Sequence, residues 1–158
     1  GLYFVFISLG YMAGNFLAGR FSTVIGMNRM MLFGSMASVV GILMAIILFL
    51  VGLEHPLSFF GSFAFVGIGN GMTLPNANAG MVSVRPHLAG SASGLGGAVM
   101  IGGGSGLSAI TGAMLTLETG AYPLLYMMLG SSVLAVFMSA YVMYVAHKAG
   151  ELGHPGEV

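Results

Sequence analysis

Long apolar runs alternate along this chain with short breaks where the charged residues collect. Five runs stand out, over about residues 2–19, 30–53, 56–84, 88–117 and 121–146. A helix needs about 20 apolar residues to cross a ~30 Å hydrocarbon core, and all five runs meet that length or come close to it. An open sheet would leave unpaired backbone groups in lipid, and the runs are too long and too evenly apolar for barrel strands. The pattern therefore predicts an all-α transmembrane fold with five membrane-spanning helices. Pro56 and Pro123 fall near two predicted helix starts, where a missing N–H costs least.

The breaks differ in charge. Arg20 and Arg29 flank the first, Arg85 and His87 lie in the third, and His147 with Lys148 follow the fifth run. The second and fourth breaks carry Glu54 with His55, and Glu118, and neither has a Lys or Arg. Basic loops stay on the cytoplasmic side, so this asymmetry predicts a single alternating topology with the C-terminus in the cytoplasm. On that reading residues 1–149 form the membrane domain of a multi-pass protein of the cell (inner) membrane, and residues 150–158 form a disordered cytoplasmic tail.

Composition agrees. Of 158 residues, 57% are hydrophobic and 5% charged, against about 25% charged in a typical soluble domain. So few charges cannot build a hydrated shell, so the apolar residues face a lipid bilayer. Net charge is zero and there is no basic stripe, which argues against nucleic-acid partners. With no cysteine, disulfides, thiolate metal sites and thiol nucleophiles are excluded. There is no Asp for a Ser-His-Asp triad, and no histidine pair has the spacing of a helical metal site, so neither an enzyme nor a metal or other cofactor is expected. The chain opens at Gly1-Leu2 inside an apolar run, without an initiator Met, which leads us to expect a segment of something longer.

Polar residues inside the runs are unevenly placed. Ser8, Tyr11 and Asn15 are spaced by three and four and share one helix face. The third run holds Asn70, Thr73, Asn76 and Asn78, whereas the second has only Ser35 and Ser38. We therefore expect the first and third spans to line a cavity, with Ser8, Tyr11, Asn15, Asn70 and Thr73 as candidate substrate contacts, and the second to face lipid. The competing reading is that these side chains only join neighbouring helices. Glycine crowds the fourth run, where Gly90/Gly94 and Gly102/Gly106 have the four-residue spacing that lets helix backbones approach. Gly67, Gly69, Gly71 and Pro75 are expected to make the third span pliable. The 14 methionines fit either an adaptable ligand surface or plain packing. No Asp, Glu, Lys or Arg lies near the middle of a run, so a proton-titrating group would have to sit outside this chain.

Two stretches resemble a known family. Gly69-Asn70-Gly71-Met72-Thr73-Leu74-Pro75-Asn76-Ala77, followed after Arg85-Pro86-His87 by Leu88-Ala89-Gly90-Ser91-Ala92-Ser93-Gly94, resembles a signature of the Bcr/CflA drug-resistance transporters of the major facilitator superfamily. In those proteins a helix ends in a G-x-G-x-x-x-P-N-A pattern, a short basic loop follows, and the next helix opens with A-G-x-A-S. Gly14 to Phe21, with Gly26 and Arg29 beyond, is similar to the superfamily's cytoplasmic-loop motif, although Gly19 stands where better-preserved copies have Asp. That departure removes the charge-relay role of the Asp; Arg20 and Arg29 match basic positions.

The resemblance implies that the five spans correspond to the eighth through twelfth of twelve helices, joined to a missing N-terminal half of the same transporter. It implies proton-gradient-driven efflux of drug-like small molecules by alternating access. Gly19, Arg20, Arg29, Pro75, Asn76, Gly90 and Gly94 would then belong to the conformational switch. The first, third and fourth spans would border the central cavity, and the second and fifth would be peripheral. A facilitator importing a sugar or carboxylate, or a small accessory membrane protein, are the competing expectations.

Overall fold

A computed structural model describes residues 3–53, 55–83, 86–116, 120–148 and 150 of the chain. Its long elements are all helices: α1 (Phe4–Ile25), α2 (Met27–Leu50), α3 (Pro56–Ser83), α4 (Ala89–Met114) and α5 (Tyr122–Lys148), with a single 3₁₀ turn at Pro86–Leu88. The loop residues Glu54, Arg85 and Glu118, and the expected tail beyond Gly150, lie outside the described residues.

Four helices, α1, α2, α3 and α5, are long and apolar enough to cross a bilayer, which makes this a multi-helix membrane protein with four candidate spans. The expected fourth span forms as a helix but is not among the four. Nine of its 26 residues are glycine, and glycine adds length without apolar surface.

The first break is far shorter than the charge pattern predicts. Arg20 and Arg29 sit inside α1 and α2, and the only residue between the two helices is Gly26. Gly26 has φ 93° and ψ 143°, a conformation open essentially to glycine alone. Its N–H donates to the Ser22 carbonyl at 2.9 Å, and its carbonyl accepts the Met30 N–H at 3.1 Å. An arginine does not end a helix here because its long apolar stem carries the guanidinium outward to water.

Contacts along the helices fix their directions. Gly10 lies over Ala64 and Gly14 over Ile68 and Gly71, so α1 and α3 run parallel. Gly34 meets Gly69 and Thr73 while Gly41 meets Ser62 and Phe65, so α2 runs antiparallel to α3. The Ser35–Ser139 hydrogen bond and the Phe49–Tyr122 ring contact make α5 antiparallel to α2. α3 is the central helix, clasped by α1 on one side and α2 on the other.

Both clasps are built on glycine. A Cβ on Gly14 would stand 2.9 Å from the Gly71 Cα and would collide with the Ile68 carbonyl oxygen. A Cβ on Gly71 would strike the Tyr11 carbonyl oxygen and come within 2.8 Å of the Asn15 nitrogen. On the other side, a Cβ on Gly41 would come 2.8 Å from the Phe65 Cβ and from the Ser62 carbonyl oxygen. Gly67 and Gly71 thus face α1, and Gly69 faces α2. These α3 glycines are pinned between helices, which corrects the expectation that they soften the span. The expected closeness at Gly90, Gly94, Gly102 and Gly106 is absent among the described residues, since a Cβ on any of them would meet none of their atoms within 4 Å.

The second helix also departs from expectation. One face of α2, from Met30 and Met31 through Gly34, Ser35, Ser38, Gly41, Ile42 and Ala45 to Ile46, is buried. Only the opposite face, with Phe33, Val40, Ile47 and Leu50, is exposed and fit for lipid. Its two serines serve the interior. Ser35 donates to the Met31 carbonyl at 2.9 Å and shares a hydrogen bond with Ser139 of α5 at 3.3 Å.

A core of Ile42, Ala45, Ile46, Phe63, Val66 and Leu125 joins α2, α3 and α5. Next to it, at the end of the bundle holding the N-terminus of α1, aromatic rings link four helices. Tyr3 stacks on Phe60, Phe59 on Phe63, and Phe49 meets both Phe59 and Tyr122. The outer surface is apolar, with Leu95 70% and Phe137 66% exposed. Water would disfavour such a surface and hydrocarbon does not.

Overpacking a clasp should unfold it. Gly14→Leu or Gly71→Leu is expected to cost about 3 kcal/mol or more, at the upper end of small-to-large core substitutions. Gly103→Ala, whose added methyl meets open space, should be neutral or stabilising by up to about 1 kcal/mol through helix propensity. Thermal unfolding in detergent micelles, followed by circular dichroism, separates the two classes.

Candidate functional site

Polar side chains in a lipid-facing bundle must find partners or a wet cavity. Several of those singled out from the sequence find partners on their own helix. Ser8 donates to the Phe4 carbonyl at 3.2 Å and the Asn15 amide to the Tyr11 carbonyl at 2.9 Å. Asn76 is buried and donates to the Met72 carbonyl at 2.7 Å. Thr73 reaches across to α2, donating to the Met31 carbonyl at 3.4 Å, so it acts as a helix–helix contact.

Asn70 behaves differently. It is exposed, it stands near the middle of α3, and its amide makes no hydrogen bond among the described residues. The helix turns it away from both clasps, because Gly69 and Gly71 on either side are the residues that pack on α2 and α1.

Asn70 opens onto an open-sided cavity of about 430 Å³ lined by α3, α4 and α5. Ser108 and Thr111 of α4 and Ser131 and Ser132 of α5 supply its other polar groups, between apolar walls that include Val66, Leu107 and Met127. Thr111 is buried and donates to the Leu107 carbonyl at 2.7 Å, and Ser131 donates to the Met127 carbonyl at 2.8 Å. Those bonds use the protons and leave hydroxyl lone pairs available as acceptors. Ser108 and Ser132, like Asn70, have no hydrogen bond among the described residues. The cavity therefore offers amide and hydroxyl donors and acceptors on an apolar background, with no ionisable side chain in its lining. Its size and character suit a small, uncharged or weakly polar molecule.

Of the five expected substrate contacts, only Asn70 lines this cavity. Ser8, Tyr11 and Asn15 belong to α1, which takes no part in it, and Thr73 faces α2. The residues that do line it were overlooked in the sequence. The signal was available: Ser108/Thr111 are spaced by three on one helix face, and Ser131/Ser132 interrupt an apolar helix.

No family model, curated protein or solved structure matches the chain. The proposed switch residues are dispersed. Gly19, Arg20 and Arg29 are exposed at the end of the bundle where α1 and α2 join. Pro75 lies inside α3, where its missing N–H frees the Gly71 carbonyl from its helical bond. Gly90 and Gly94 open α4 with no neighbour against them.

The natural absence of cysteine permits a direct test of the site. A single thiol introduced as Asn70→Cys should react with a small maleimide at least tenfold faster than one introduced as Thr111→Cys, which is 5% exposed. Mass spectrometry of timed labelling reactions in micelles reads the ratio, and equal rates would mean that the cavity does not open at Asn70.

Proposed function

We propose that this chain is the membrane-embedded part of a longer transporter that carries small molecules across a bilayer by alternating access. The observation that carries the reading is the cavity between α3, α4 and α5, where Asn70 and four hydroxyl side chains face an otherwise apolar space. A membrane helix that keeps an unpaired amide at its centre needs something for that amide to bind. The bland use of polar groups, joining one helix to the next, is already served by Ser35, Ser139 and Thr73.

The finer reading is a proton-coupled exporter of drug-like molecules of the Bcr/CflA type, within the major facilitator superfamily. It rests on the Gly69–Ala77 and Ala89–Gly94 stretches, which bracket the turn between α3 and α4. In this reading α4 is a fifth span, and its glycines leave room for a further helix from the remainder of the protein. The same reading puts the C-terminus in the cytoplasm, and the gathering of Arg20, Arg29 and Lys148 at one end of the bundle supports it. Among the described residues no ionisable side chain lines the cavity, so in this reading the segment binds substrate while the proton-carrying residue belongs elsewhere. Asn70 and the hydroxyls would hold a substrate carrying hydrogen-bonding groups, and Pro75 would let the end of α3 bend as access alternates.

Cells expressing the full-length protein should survive higher concentrations of uncharged amphipathic antibiotics than cells without it. Asn70→Leu should reduce that resistance several-fold, and a protonophore should abolish it. Resistance equal with and without the protein would defeat the efflux reading, and efflux that persists without a proton gradient would defeat the coupling.

A further inference from the structure

Among the described residues, every Arg and Lys is gathered at one depth. α1 and α3 are in register at Gly14 and Gly71, α2 and α3 at Gly34 and Thr73, and α2 and α5 at Ser35 and Ser139. Counting from the Gly34–Thr73 level at about 1.5 Å per residue, Arg20 lies ~6 Å and Arg29 ~7.5 Å toward the end of the bundle, and His147 and Lys148 lie ~10–12 Å toward it. All four fall in a band about 6 Å deep, within little more than one helical turn. None of the five helices contains an Asp or Glu, so no helix supplies a counter-charge to this band.

Each of the three permanent cations among the described residues, Arg20, Arg29 and Lys148, also has an exposed aromatic ring one turn deeper on its own helix face. Phe16 precedes Arg20 by four residues, Phe33 follows Arg29 by four, and Tyr144 precedes Lys148 by four. These rings are 68%, 50% and 64% exposed. Below Phe16 the same face of α1 continues with exposed Met12. At three places around the bundle, then, a cation at the rim stands above an apolar surface running toward the membrane centre.

We propose that this band is a binding surface for anionic phospholipids, whose phosphate groups pair with Arg20, Arg29 and Lys148 and whose acyl chains lie against Phe16, Phe33 and Tyr144. A free phosphate would use the cations and leave the aromatic faces idle. A zwitterionic lipid would use the faces but leave the charge of the band without a net counterpart. An anionic lipid meets both requirements, and it does so whether or not the chain transports anything.

The test is lipid retention by the full 158-residue chain. Micelles containing the protein are mixed with equal amounts of phosphatidylglycerol and phosphatidylcholine, and bound lipids are counted by native mass spectrometry. Phosphatidylglycerol should be retained in preference. Arg20→Gln and Arg29→Gln should each weaken its binding about fivefold, Arg20→Lys with Arg29→Lys should keep it, and Phe16→Ala with Phe33→Ala should weaken it with the charge intact. Inorganic phosphate at the same concentration should not displace the lipid. Circular dichroism on each variant confirms that the helices remain. Equal retention of the two lipids by the wild-type protein would overturn the proposal without recourse to any variant. So would full displacement by inorganic phosphate, or unchanged binding in a folded Arg20→Gln, Arg29→Gln double variant.

Discussion

The bundle depends on backbone-to-backbone contact at α3. In lipid there is no hydrophobic driving force between helices, so association comes from close van der Waals packing and from polar contacts that only close packing brings within reach. Gly10 and Gly14 of α1 against Gly67 and Gly71 of α3, and Gly34 and Gly41 of α2 against Gly69 and Ser62, provide that closeness on two sides of one helix. Other features follow from it. The hydroxyl of Thr73 reaches the Met31 carbonyl because α2 lies so near, and Asn70 is turned toward α4 and α5 because its two glycine neighbours are committed elsewhere.

The helices themselves were legible in the sequence, since apolar length and sparse charge leave few alternatives in a bilayer. The ends were harder to read. Charge suggests a break at residues 20–29, yet Arg20 and Arg29 continue their helices and a glycine with φ 93° makes the turn. Glycine was legible as a sign of close approach, but its partner was not. Spacing by four is the same at Gly10/Gly14, which is buried, and at Gly90/Gly94, which is open. Only the tertiary arrangement tells these apart, because the difference lies in the surface opposite. The cavity was half visible, through Asn70. Its serines are not legible, because a serine in a membrane helix can satisfy itself on the carbonyl four residues back, as Ser131 does, and composition cannot show which ones also face a void.

Polar groups in this fold have divided tasks. Ser35, Ser139 and Thr73 tie helices together, Ser8, Asn15 and Asn76 close on their own backbone, and Asn70 with Ser108 and Ser132 stays open toward the cavity. The ends of the bundle are divided as well, with linked aromatic rings at one and cations at the other. A molecule with such unlike ends has one preferred way up in a membrane whose two surfaces differ in charge.

The one-residue turn at Gly26 bears on how the bundle is assembled. It holds the end of α1 and the start of α2 together, yet the two helices touch only lightly, and the glycine faces of both are turned to α3. As the chain emerges during synthesis, α1 and α2 form a splayed hairpin with no interface of its own to close. α3 follows α2 along the chain and lies between the glycine faces of both arms. A hairpin without α3 would leave its two glycine grooves uncovered and open to the wrong helix.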